Sequence, residues 1–138
     1  MSGQLGLNLI TLNGKPGDGS LEKRLRIAAD AGFEAVGLWM KDLEWWEKEK
    51  GSLDSLRDLL AELGVEVAEV CAASVCDENG HVARRGPEFA RAAAVGAGCV
   101  VTIYNNREAP VKKAREQWAE FVDSVAEHGV RPAFEFIG

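Results

Sequence analysis

Apolar residues along the chain alternate between a period of two and a helical period, block by block. In residues 5–12, Leu5, Leu7 and Leu9 fall on one face and Asn8 on the other, which predicts a first strand. Ser20 stands at a helix cap position before Leu21, Leu25, Ala28 and Ala29, a helical stripe. A second strand is expected at 35–40. A second helix follows from about Ser52, with Leu53, Leu56, Leu60 and Leu63 inward. Strand three is expected at 65–72. Pro87 suits the first turn of a third helix, and strand four is expected at 99–104. Pro110 opens a fourth helix with Ala114, Trp118, Phe121 and Val125 on one face, and residues 131–137 read as strand five.

Gly32, Gly64, Gly96 and Gly129 sit where each helical run gives way to the next strand, at a period of roughly 32 residues. That period fits one helix plus one strand. A glycine just past a helix closes the last turn in the left-handed conformation without a Cβ clash. The expected fold is a single α/β domain over 1–138, a parallel (βα)4β chain. An eightfold βα barrel takes roughly 250 residues, so this is half of a TIM barrel. Such a half leaves its first and last strands as unpaired edges. Self-association that closes a barrel-like body is the expected remedy. The alternative is a five-stranded, doubly wound, flavodoxin-like sheet with helices on both faces.

The net charge of −6 argues against nucleic acid and against an anionic membrane surface as partners. No apolar run approaches a membrane span. The N-terminus shows no basic region leading into an apolar stretch, so no signal peptide is expected. Three cysteines, Cys71, Cys76 and Cys99, suggest reduced thiols and a cytoplasmic location. Cys71, Cys76 and His81 match no common zinc spacing and read as small buried thiols and a loop histidine.

Joints from strand to helix are long, and in parallel α/β proteins that end carries function. Thr11 and Asn13 follow strand one, Trp39-Met40-Lys41-Asp42 strand two, Cys71-Ala72-Ala73-Ser74 strand three, and Tyr104-Asn105-Asn106-Arg107 strand four. In strand five, alternation puts Ala133, Glu135 and Ile137 on the central face and Phe134 and Phe136 towards the helices. A central carboxylate at a strand end is a metal ligand or acid/base group. The other reading is a glutamate exposed near the C-terminus. Glu69 is a second candidate, expected on one face with Val65, Val67 and Cys71, or else ion-paired to a neighbouring Lys or Arg.

Asn8, Trp39, Lys41 and Asn105 are the candidate substrate-binding residues. Lys41 suits an anionic group or is a solvated lysine. Asn105 and Asn106 suit a sugar or cap the turn before helix four. Residues 42–50 read as an amphipathic lid or turn of helix, in which Trp45 and Trp46 face opposite ways, one to the core and one to the barrel mouth or an interface. There is no nucleophile–base triad, phosphate loop or dinucleotide fingerprint.

Leu7-Asn8-Leu9-Ile10-Thr11-Leu12, Ala31-Gly32-Phe33-Glu34-Ala35-Val36-Gly37-Leu38-Trp39 and Val130-Arg131-Pro132-Ala133-Phe134-Glu135 together resemble the xylose-isomerase-like barrel superfamily. That superfamily includes sugar-phosphate isomerases and epimerases and type-two apurinic endonucleases. The resemblance implies the N-terminal half of the family's barrel. It implies a divalent metal (manganese, magnesium or zinc) at the C-terminal mouth, with Glu135 at the position of the strand-five ligand. Glu135 also matches one of the two glutamates with which many family isomerases move a proton. The later ligands and the second glutamate have no counterpart in these residues, and Gly37 stands where many relatives carry a glutamate. The implied activity is that of a metal-dependent aldose–ketose isomerase or epimerase acting on small sugars or keto acids. The alternative is a non-catalytic half-barrel, natural or engineered, whose property is folding and assembly. The implied partner is a second copy, giving a homo-oligomer (dimer), or a C-terminal half-barrel. DNA repair fits poorly with the negative charge.

Overall fold

The chain is described from a computed structural model over residues 5–12 and 14–135. Strands β1 (Gly6–Asn8), β2 (Ala35–Trp39), β3 (Glu66–Ser74), β4 (Cys99–Ile103) and β5 (Arg131–Glu135) alternate with helices α1 (Leu21–Asp30), α2 (Met40–Lys50), α3 (Asp54–Leu63), α4 (Gly86–Ala94) and α5 (Val111–Val125). Short 3-10 turns cover Leu9–Thr11 and Ala126–His128.

The five strands form one parallel sheet in the order β1-β2-β3-β4-β5. Every crossover therefore steps to the next strand in the same direction. With right-handed crossovers, all the helices land on one face. A doubly wound sheet reverses direction midway to cover both faces. The sequential order corrects the flavodoxin-like alternative and leaves the winding of a barrel.

On the helix face, Val36, Leu38, Val70, Val100 and Thr102 are fully buried, backed by Leu25, Leu56, Phe89 and Phe121. On the other face, strand register aligns Asn8, Gly37, Glu69, Cys99 and Arg131 in one row. Trp39, Cys71, Val101 and Ala133 make the next row, with Ser74, Ile103 and Glu135 beyond it.

The elements depart from expectation in three places. β1 ends at Asn8, because the Asn8 side chain accepts from Ile10 N at 3.1 Å and opens the 3-10 turn. Leu9 is fully buried in that turn, whereas Leu5, ahead of β1, is 57% exposed. Two helices, not one, separate β2 and β3. Residues 42–50 belong to α2, whose Met40, Leu43 and Trp46 are buried at helical spacing, and Gly51 at φ 84° ends it. Finally, the register of β3 shifts at Ala68 and at Ala72. The extra residue at 68 turns Val67 to the helices and Glu69 to the opposite face, so the two do not share a side as strict alternation requires.

The glycine spacing is matched in the backbone: Gly32, Gly64, Gly96 and Gly129 all have φ between 64° and 83°. Asn13, Phe136 and Ile137 lie outside the described residues.

Candidate functional site

The C-terminal ends of the strands hold two groups of side chains. The first is on the concave face over β1–β3. Trp39 Nε1 donates to Asn8 Oδ1 at 3.4 Å, and Asn8 Nδ2 donates to Glu69 Oε1 at 2.9 Å. The Asn8 amide is thereby oriented and the Glu69 carboxylate is fixed over Gly37. A Cβ at residue 37 would lie 2.8 Å from Glu69 Oε1 and 2.9 Å from Asn8 Nδ2, so this bridge needs glycine there. Among the described residues no Lys or Arg pairs with Glu69, which replaces the expected ion pair with the Asn8 bridge.

Cys71 completes the group, with Sγ 3.7 Å from Asn8 Nδ2 and 3.8 Å from Glu69 Oε1. Burial, then the charge of Glu69, pushes its thiol up to about 11, and Glu135 adds to the shift. The thiol is therefore neutral at pH 7 and is no nucleophile. Strand register puts Glu135 on the same face of the sheet as Cys71, one row further along.

The second group surrounds Glu135, which lies opposite Ile103 in register and is exposed. It borders an open groove of about 910 Å3 between the ends of β4 and β5 and the first turns of α5. Arg107 and Arg115 contribute positive charge to this groove, and Trp118, Phe134 and Val111 contribute apolar surface. Phe134 points away from Glu135, edge-on to Trp118 with ring centroids 5.0 Å apart.

Of the residues expected to bind substrate, Asn8 and Trp39 come together with Glu69. Lys41 is exposed on the first turn of α2. Asn105 is engaged elsewhere. Its Oδ1 accepts from Cys76 N at 2.9 Å and its Nδ2 donates to Cys76 O at 3.0 Å, clamping the loop after β3. Tyr104 and Gln117 reinforce that clamp. The Tyr104 hydroxyl donates to Gln117 Oε1 at 2.6 Å, and Gln117 Nε2 donates to Gly80 O at 2.8 Å. Trp46 points into the core, its Nε1 donating to Ser55 Oγ at 2.9 Å, while Trp45 lies against Gly19 in the loop after β1.

Sequence reasoning missed the ion pair that holds the rim together. Arg24 Nη2 and Asp42 Oδ1 meet at 2.7 Å, each 1% exposed. Gly17 N also donates to Asp42 Oδ1, at 2.8 Å, and Arg24 Nε donates to Ser20 Oγ at 3.0 Å. Ser20 consequently makes no side-chain cap for α1. The signal was present: Arg24 sits on the buried stripe between Leu21 and Ala28, and Asp42 between Met40 and Leu43.

Among the described residues no three His, Cys, Asp or Glu side chains converge to hold a metal ion. Cys76 lies 3.7 Å from Gln117 Oε1, and the His81 side chain is 80% exposed. Glu135 offers one carboxylate, so the described residues of one chain do not by themselves fit a metal centre.

Structural comparison places this geometry. Among solved structures the chain resembles a xylose isomerase domain containing protein from Salmonella typhimurium, at 20% identity and a TM-score of 0.73, covering 98% of this chain and 50% of that one. It resembles an L-ribulose 3-epimerase at 20% identity and a TM-score of 0.72, with the same coverage. It resembles the IolI protein, determined with a bound zinc, at 22% identity and a TM-score of 0.70, covering 99% of this chain and 52% of that one. The fold is half of a xylose isomerase-like TIM barrel. The half-barrel spans about half the length of the solved structures it matches. No family model matches the sequence, and no curated protein matches it. Among the described residues no helix is long and apolar enough to cross a membrane.

Proposed function

We propose that this half-barrel carries the mouth of a sugar isomerase or epimerase, acting on small sugars or keto acids, with Glu135 as its acid/base carboxylate. The observation that carries the reading is the place of Glu135, on the concave face at the C-terminal end of β5 and open to the groove. That is where a βα barrel does chemistry.

An isomerase or epimerase removes a proton from the carbon beside a carbonyl and returns it to a neighbouring carbon or to the opposite face. The proton is conserved overall. A carboxylate within hydrogen-bond reach of that carbon performs the removal. The half-exposed Trp39 indole offers an apolar wall for a sugar, Glu69 accepts from hydroxyls, and Lys41 and Arg107 suit an anionic end. Asn8 orients Glu69, and Asn105 holds the loop beside the groove.

A divalent metal, manganese, magnesium or zinc, would polarise the carbonyl. Glu135 is the one ligand we assign to it, and the remaining donors come from outside the described residues. Completion by another half, either a second copy or a C-terminal half-barrel, is part of the proposal. Three free thiols suit a reducing cytoplasmic setting.

Incubation with D-fructose or L-ribulose and manganese in D2O tests the reading by NMR. The wild-type chain is expected to incorporate deuterium beside the carbonyl, and Glu135→Gln to slow this by about 100-fold or more. No incorporation with either sugar, or equal incorporation in the variant, contradicts it.

A further inference from the structure

The Asn8 side chain is fully engaged. Its Oδ1 accepts from Ile10 N and Trp39 Nε1, and its Nδ2 reaches Glu69 Oε1 and Cys71 Sγ. Asn8 thus acts as a bracket that holds an indole and a carboxylate one amide apart on the concave face. Gly37 leaves the space that Glu69 Oε1 fills, since a Cβ there would lie 2.8 Å from that oxygen. Two surfaces of the group stay open to a ligand. With its N–H engaged by Asn8, the half-buried Trp39 has its ring surface left. Glu69 is also half-buried, and among the described residues its Oε2 accepts no hydrogen bond.

Charge decides what this pair of surfaces suits. Arg131 shares the row of Glu69 but stands two strands away, and Lys41 is exposed on the first turn of α2. Neither makes an ion pair with Glu69. After burial, the charges of Glu69 and Glu135 both add to the rise of the Cys71 thiol, so a negative potential covers this part of the face. A carboxylate oxygen beside an aromatic ring is a pairing that takes a cation. An ammonium lies over the ring and donates to the oxygen. A hydroxyl can use the oxygen but gains nothing from the negative face of the ring, and an anionic group is repelled.

We infer that Trp39 and Glu69, set by Asn8, form a subsite for a protonated amine, so that the ligand of this face is an amino-substituted sugar or polyol. The inference deepens the functional reading above by naming a substrate class, and it rests on that reading for the sugar. Recognition of the amine rests on Trp39, Asn8 and Glu69 alone.

Calorimetric titration at about pH 6, where a primary amine is protonated, tests this without metal or turnover. D-glucosamine is the probe, and D-glucose and N-acetyl-D-glucosamine are its uncharged counterparts. The chain is expected to bind D-glucosamine about tenfold more tightly than either, with the preference shrinking as salt is raised. Glu69→Gln and Trp39→Leu are each expected to remove most of that preference while circular dichroism shows the fold kept. If a variant fails to fold, the three sugars on the wild-type chain still decide. Equal affinities for the three, or no measurable binding of D-glucosamine, overturns the proposal. A preference that survives in a folded Glu69→Gln chain belongs to the overall negative charge and also overturns it. If the preference holds and deuterium exchange fails, the isomerase reading falls and the amine subsite stands. If exchange occurs and the three sugars bind alike, the subsite falls and the isomerase reading stands.

Discussion

Asp42 and Arg24 are the side chains on which the loop after β1 hangs. One Asp42 oxygen receives both the Arg24 guanidinium and the Gly17 amide, and Asp42 Oδ2 and Arg24 Nη1 have no partner. Removing one member strands a buried charge. Asp42→Ala is therefore expected to cost about 3–5 kcal/mol by urea unfolding. A loss below about 1 kcal/mol shows the pair to be solvated. Cys71 provides a test in pH. Its folded-state value, raised from 9.0 to about 11, keeps it protonated where the unfolded thiol ionises. Between those values the folded state holds more protons, so stability falls as pH rises from about 9 to 11. Cys71→Ser is expected to flatten that slope in unfolding curves recorded across the window. The face that Glu135 shares with Ala133, opposite Phe134, was legible in sequence, because β4 and β5 pair without a bulge and strict alternation holds. The side of Glu69 relative to Val67 was not, because one extra residue at Ala68 reverses the alternation between them.

At the scale of elements, the glycine spacing identified the helix-to-strand joints because each needs a positive φ that other residues resist. α2 was hidden for an opposite reason. Its apolar positions are few and its exposed face is dense in Glu and Lys, so the tract read only as an amphipathic lid or a turn of helix. Steric contact distinguishes two glycines of the sheet. A Cβ at Gly98 would meet the Ala68 carbonyl oxygen at 2.8 Å, a backbone atom at the bulge. Gly98→Ala is expected to force β3 and β4 apart and to cost about 1–3 kcal/mol. A Cβ at Gly37 meets mainly side-chain atoms of Glu69 and Asn8. Gly37→Ala is expected to cost less, while breaking the Asn8–Glu69 bond in a crystal structure of the variant. Equal costs in the two thermal unfolding experiments would show that the bulge yields.

For the whole molecule, the parallel sheet in sequential order carries its helices on one face and turns a charged, half-apolar face outward. The sequence suggested that shape through its period. It did not show the row of Asn8, Glu69 and Arg131, because register between distant strands is set by packing and not by local pattern. The row gives the concave face hydrogen-bonding groups of the kind the proposed function uses, and that proposal takes a second copy as one way to complete the mouth. Light scattering on the purified chain, with and without manganese, tests this most directly. The account predicts a folded species of twice the chain mass under both conditions. A well-folded species of the chain mass alone contradicts it.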